Sequence, residues 1–180
     1  MLTYEDILIF WFKELDKSQW WVKDQALDTL IKERFLELHT AANKCELYPW
    51  RITAEGRLAE IIVLDQFSRN IFRDSPTSFA SDSLALELAQ EAITVAADKN
   101  LNALQRSFLY MPFMHSESLE IHQVAIKLFN DIDIPLNLEF AIKHKEVIER
   151  FGRYPHRNSI LNRVSTEAEI KFLEQPGSVF

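Results

Sequence analysis

The chain has 180 residues, of which 47% are hydrophobic, and its formal net charge at pH 7 is −7. This length and composition predict a single domain, residues 1–180, with a substantial core. The negative charge disfavours a nucleic-acid partner, because nonspecific binding requires Lys and Arg to neutralise phosphates. No stretch approaches the roughly 20 apolar residues of a membrane-spanning helix, so we expect no membrane partner either.

Few glycines and prolines interrupt the chain, with three of the former and six of the latter. A β-rich fold of this size needs many tight turns, so we predict an all-α domain of about eight helices in antiparallel pairs. Cys45 is the only cysteine, which excludes an intramolecular disulfide and fits a reducing compartment. Glu5 and Asp6 lie where a signal peptide avoids acids, so we expect a cytoplasmic protein.

Capping residues and helix breakers set the expected helix bounds. The predicted helices cover, approximately, residues 3–12, 24–45, 53–73, 81–97, 102–112, 117–130, 137–151 and 166–174. Pro112 should limit the fifth helix, because its ring clashes with a continuing helix and it lacks an N–H group. Ser116 should cap the sixth helix and Gly152 should end the seventh. Thr166 and Glu169 have the spacing of a capping box at the start of the last helix.

The third predicted helix is apolar on two sides, which places it at the centre of the domain. Asp65 and Arg69 lie in the middle of one apolar stripe, whereas Leu64 and Phe67 belong to the opposite face. We therefore expect Asp65 and Arg69 to be buried, and their spacing of four residues allows them to pair.

Other polar side chains also lie on apolar stripes: Arg34 in the second helix and His144 in the seventh. Burying a charge without a partner costs roughly several kcal/mol. These groups should therefore contact one another or a ligand. Two interpretations remain open. One is a structural network that fixes the register of the helices, and the other is a polar pocket between them.

The segment 151–158 combines two guanidinium groups, an imidazole and an amide in a stretch of low helix propensity. Six Lys or Arg residues against two Glu give a local charge of +4 between Lys143 and Arg163. Arg153, His156, Arg157 and Asn158 are thus candidates for binding a carboxylate or phosphate. The alternative is that they cap helix ends and clamp acidic side chains.

His115, Ser116 and Glu117 follow the break expected at Pro112. Ser116 is best explained as a cap, whereas His115 beside a carboxylate is a candidate general base. The sequence has no HExxH motif, no Cys–His cluster and no phosphate-binding glycine loop, so we predict neither a metal nor a cofactor.

Three polar-aromatic segments carry a family resemblance: LDQFSRNIFR at 64–73, FLYMPFMHSE at 108–117 and FGRYPHRN at 151–158. With FWF at 10–12, WW at 20–21 and the pair Arg34-Phe35, they resemble the signatures of the bacterial domain of unknown function 924. The resemblance implies an all-helical, tetratricopeptide-like fold and brings no established activity.

The first functional hypothesis is a helical domain that binds a small anionic ligand or peptide end. The alternatives are a tetratricopeptide-like protein-interaction module and a hydrolase-type enzyme that uses His and Glu.

Overall fold

A computed structural model describes residues 2–178, and within that range all regular secondary structure is helical. The α-helices are α1 (Tyr4–Ile9), α2 (Gln25–Asn43), α3 (Ala54–Ile62), α4 (Ser68–Ile71), α5 (Asp82–Thr94), α6 (Ala103–His115), α7 (Leu119–Asp131), α8 (Pro135–Phe151) and α9 (Glu167–Leu173). A π-helical turn (Val63–Phe67) joins α3 directly to α4, so residues 2–178 form eight helices when these two are counted as one. The predicted all-α class is confirmed.

Short helical turns connect the longer helices. A second π-helical turn, Phe10–Glu14, extends α1, and the 3₁₀ turns are Lys17–Trp21, Tyr48–Ile52, Pro76–Phe79, Ala97–Asn100 and Pro155–Arg157. None of the helices within residues 2–178 is long and apolar enough to cross a membrane.

The continuous helix from α3 to α4 lies at the centre of the domain, as its two apolar faces predict. It packs against α1, α2, α5 and α6. Leu58 on one face and Leu64 and Phe67 on the other are fully buried. The Phe67 ring is stacked on Phe35, with 4.9 Å between the ring centroids. Both faces of this helix therefore belong to the core, and its polar side chains are surrounded by other helices.

Two of the expected helix ends differ in the structure. The helix α6 continues three residues beyond Pro112 to His115, because the packing of the buried Phe113 and Met114 offsets the lost backbone hydrogen bond. The next helix, α7, begins at Leu119 rather than Glu117. The hydroxyl of Ser116 accepts the N–H of Ser118 at 3.1 Å, so it caps a turn before the helix.

Gly152 ends α8 in the left-handed conformation, with φ of 68°, as expected from its position. We expect Gly152→Ala to lower the free energy of unfolding by about 1–2 kcal/mol, the cost of left-handed backbone for an L-residue. The cost should be conformational only, because an added Cβ would have no neighbour within 4 Å. Urea denaturation measures the loss, and an unchanged stability would contradict the reason given for this glycine.

Candidate functional site

A pocket of about 350 Å³ opens between the start of α5, the end of α6 and the turn Pro155–Arg157. We call it the α5–α6 pocket. One part of its lining is polar and consists of Asp82, Ser83, His115, Ser116, Glu117 and Arg157. The remainder is mainly apolar and includes Pro76, Phe79, Leu86, Pro112 and Leu161. A pocket with an apolar wall and a few converging polar groups is typical of small-molecule sites.

His115 joins the pocket to a buried carboxylate. Its Nδ1 lies 2.7 Å from Oδ1 of Asp65, which is in the π-helical turn and fully buried. An ionised carboxylate can only accept, so Nδ1 carries the proton of the neutral ring. The other ring nitrogen, Nε2, has no hydrogen-bond partner within residues 2–178, and the side chain is 17% exposed where it lines the pocket. The lone pair on Nε2 is therefore available to a ligand or a water.

The surroundings keep Asp65 charged and His115 neutral. Burial alone would raise the pKa of the Asp65 carboxyl, but His115 and Arg69 outweigh it and lower that pKa to about 2. Burial, together with the charge of Arg69, lowers the pKa of His115 below 6.5 despite the opposing effect of Asp65. At neutral pH the pair is thus a carboxylate that accepts a hydrogen bond from a neutral imidazole.

Arg69 is mostly buried and contacts two carboxylates. It lies 3.4 Å from Oδ1 of Asp65, which confirms the expected pairing. Its shorter carboxylate contacts are to Asp82, whose two oxygens accept from Nη1 at 2.9 Å and Nη2 at 3.1 Å, and Nη1 also donates to the backbone oxygen of Asp65 at 2.8 Å. Asp82 is therefore the main carboxylate partner of Arg69.

Arg157 provides the second guanidinium near Asp82, and it has fewer hydrogen-bond acceptors than Arg69. Its side chain is only 8% exposed and lies between the rings of Phe79 and Tyr154, at 4.5 Å and 4.8 Å from their centroids. The Nη2 group donates to the backbone oxygen of His115 at 2.9 Å, whereas Nη1 reaches Asp82 only at 3.3 Å. The buried Nε has no acceptor within residues 2–178.

Other residues of the segment 151–158 form intramolecular clamps. Arg153 pairs with both oxygens of Glu169, at 2.7 Å and 2.8 Å. Asn158 accepts from Arg163 at 2.9 Å and donates to Ser165 at 3.0 Å. These contacts match the clamp alternative, and neither Arg153 nor Asn158 lines the α5–α6 pocket.

Three more candidates, His144, His156 and Arg34, also lie outside this pocket. His144 is buried, and its Nδ1 is 2.7 Å from the backbone oxygen of Phe140. His156 lies beside Tyr154, with 5.5 Å between the ring centroids. The expectation that Arg34 is buried is wrong: its side chain is 37% exposed and pairs with Glu14 at 2.7 Å. Its Cα lies on the apolar stripe of α2, but the long apolar stem lets the guanidinium reach the surface.

The structure also shows a site residue that the sequence analysis missed. Asp82 lies next to Ser81, at the start of a helix, where an acidic residue is explained by the helix dipole alone. Only the tertiary structure brings it to Arg69 and Arg157, which are 13 and 75 residues away in the chain. Within residues 2–178, no group of three or more His, Cys, Asp or Glu side chains is arranged to hold a metal ion.

The family model described as a bacterial protein of unknown function (DUF924) matches residues 7–177. The structure of a protein of unknown function, ATU0120, from Agrobacterium tumefaciens is similar, with 40% sequence identity and a TM-score of 0.90. The match covers 95% of this chain and 96% of that chain. No curated protein is significantly similar to the chain.

Proposed function

This chain belongs to the DUF924 family, whose description gives no activity, and from the geometry we propose that it binds a small anionic molecule in the α5–α6 pocket. The observation that carries the proposal is the incompletely paired guanidinium of Arg157 in the pocket wall. A cytoplasmic location, expected from the sequence, is part of the same proposal. The tetratricopeptide-like interaction module remains an alternative prediction.

Arg157 has hydrogen-bonding capacity to spare. A guanidinium has five N–H groups, and two side-chain contacts of Arg157, to Asp82 and to the backbone of His115, use two of them. The carboxylate of Asp82 is already bound at two points by Arg69. The N–H groups of Nη1 and Nη2 that these two contacts leave free are available to a ligand carboxylate or phosphate oxygen, which would accept a charge-assisted hydrogen bond.

The apolar part of the lining indicates that the rest of the ligand, beyond its anionic group, is hydrophobic. Phe79, Leu86 and Pro112 offer hydrophobic contacts opposite the polar groups. A volume of about 350 Å³ accommodates a small ring or short chain rather than a macromolecule. Benzoate combines a carboxylate for Arg157 with a ring for the apolar wall, and it is therefore a suitable probe.

Arg157→Gln should weaken benzoate binding about tenfold or more, because a hydrogen bond to a charged group contributes about 1.5–3 kcal/mol. Calorimetric titration measures the affinity, and circular dichroism confirms that the variant is folded. Arg150→Gln is the matched control, because Arg150 is exposed and lies outside the pocket.

Benzyl alcohol, which has the same ring but no charge, should bind more weakly than benzoate to the unmodified protein. Equal affinity for the two molecules, or unchanged benzoate affinity in Arg157→Gln, would contradict an anion site at Arg157.

A further inference from the structure

We infer that His115 is the general base of a hydrolytic site, in which Nε2 activates a water to cleave a small carboxylate-bearing ester. The inference rests on the proposed anion site, since Arg157 would hold the substrate carboxylate while the ester bond lies at His115. Both side chains line the α5–α6 pocket, and the guanidinium is anchored to the backbone oxygen of His115 at 2.9 Å.

The orientation of His115 is the first reason. Its Nδ1 is held 2.7 Å from the fully buried carboxylate of Asp65, so the ring cannot turn freely and its basic nitrogen stays at the pocket. A carboxylate at Nδ1 both fixes the tautomer and stabilises the imidazolium that forms when Nε2 accepts a proton. Asp65 is thus a positioning residue that acts through His115.

The nucleophile follows from what surrounds Nε2. Within residues 2–178, no hydroxyl or thiol side chain is hydrogen-bonded to Nε2. Two hydroxyls line the pocket: Ser116 accepts the backbone N–H of Ser118, and Ser83 makes no hydrogen bond to His115. A serine or cysteine nucleophile paired with a base, as in covalent hydrolysis, does not fit this arrangement. The general base therefore has water as its partner.

The charges around His115 suit a base that is neutral at rest. The groups that face it from the packed elements are Asp65, Arg69, Asp82 and Arg157, with His122, His144 and His156 further out. The carboxylates of Asp65 and Asp82 balance the guanidiniums of Arg69 and Arg157, and Glu117, which also lines the pocket, is paired with Arg163 at 2.7 Å. The protein groups therefore leave no excess negative charge that would protonate the ring. A bound anion adds one negative charge, which favours the imidazolium that forms during the reaction.

The step balances without any further reagent. The water oxygen forms a bond to the ester carbonyl carbon while one water proton moves to Nε2. The tetrahedral intermediate then breaks its bond to the leaving oxygen, which takes the proton from Nε2. An acid and an alcohol are released, and His115 is neutral again.

The test uses 4-acetoxybenzoate, an ester that carries a carboxylate, and follows the absorbance of released 4-hydroxybenzoate. Saturable hydrolysis is expected, with kcat reduced about 100-fold or more in His115→Gln, the usual loss for a missing general base. Benzoate affinity should change less than about threefold in this variant, since the carboxylate is bound by Arg157. Arg150→Gln should match the unmodified protein in both measurements.

The pH profile separates catalysis from a structural role. In the unmodified protein, kcat/KM should fall on the acid side as His115 of the free protein becomes protonated, with a midpoint below 6.5. Asp65→Asn should lower kcat and move this midpoint to lower pH, because the charge that favours the imidazolium is gone. If Asp65 had only a structural role, the midpoint in Asp65→Asn would be unchanged.

The outcomes distinguish the two proposals. Benzoate binding without hydrolysis above the buffer rate, or hydrolysis that persists in His115→Gln, overturns the catalytic inference and leaves the anion site in place. If the unmodified protein does not bind benzoate at the pocket, both proposals are overturned. If His115→Gln does not fold, acylation of His115 by diethyl pyrocarbonate in the unmodified protein replaces it: benzoate should protect His115, and modification that leaves hydrolysis intact overturns the inference.

Discussion

Asp65→Ala is expected to lower the free energy of unfolding by about 3–5 kcal/mol, the usual cost of removing one partner of a buried charge pair. The variant leaves His115 Nδ1 and the amide of Gln66 without their acceptor. Arg69 loses its 3.4 Å contact as well, although Asp82 still neutralises it. Because these groups are mostly buried, water cannot replace the lost partner fully. Urea denaturation at pH 7 measures the difference.

The matched control is Glu139→Ala. Glu139 also forms an ion pair four residues along a helix, with Lys143, but both side chains are more than half exposed. Its loss should cost less than about 1 kcal/mol, since exposed pairs contribute little. Equal losses in Asp65→Ala and Glu139→Ala would show that Asp65 is not a buried partner.

Acidification from pH 7 to pH 4 is expected to destabilise the protein strongly, because its histidines are held neutral in the folded state. Burial, with minor contributions from neighbouring cations, lowers the pKa of His144 to about 3 and that of His156 to about 4. The pKa values of His39, His115 and His122 are lowered as well. In the unfolded chain each histidine titrates near 6.5.

The direction of this change in stability follows from the number of protons that the folded and unfolded states bind. Between pH 6.5 and the lower folded pKa, the unfolded chain binds more protons than the folded protein, so stability falls as the pH falls. Each such histidine contributes up to about 1.4 kcal/mol per pH unit. The window ends near pH 4 for His156 and near pH 3 for His144. Asp65, whose pKa is lowered from 3.8 to about 2, contributes mainly below pH 3.8, which overlaps only the lower end of the His144 window.

Urea denaturation at pH 7, 6 and 5 measures this slope. His144→Gln should reduce it, because the substituted side chain does not titrate, whereas Arg150→Gln should leave it unchanged. A stability that is flat between pH 7 and pH 5 would contradict the buried, neutral state of these rings.

Local sequence patterns predicted the parts of the fold that depend on local chemistry. The central helix follows from its two apolar faces, and the capping box of Thr166 with Glu169 is present as expected. The end of α6 did not follow from Pro112, because the packing of the residues beyond it outweighed a local rule. Helix boundaries are thus predictable only where tertiary contacts agree with the local preference.

The candidate site was predictable in most of its residues and in the Asp65–Arg69 pair, but not in the pairings between distant segments. Asp65 and Arg69 were identified by charge in the middle of an apolar stripe, and Arg157 by the concentration of guanidiniums. The role of Asp82 and the engagement of Arg153 with Glu169 depend on how distant segments are placed, which no local pattern encodes. Arg34 was misplaced because a stripe fixes the position of a Cα and not of a long side chain.

The most direct test of the central claim is the protonation state of His115. The claim is that His115 is a neutral base, which Asp65 orients beside an anion site. Side-chain ¹⁵N spectra across a pH titration, with and without benzoate, report the tautomer and the pKa of this ring. We predict a neutral ring at pH 7 with its proton on Nδ1, and a pKa that rises when benzoate is bound. A proton on Nε2 in the neutral ring, a cationic ring at pH 7, or a pKa that saturating benzoate does not change would contradict the account.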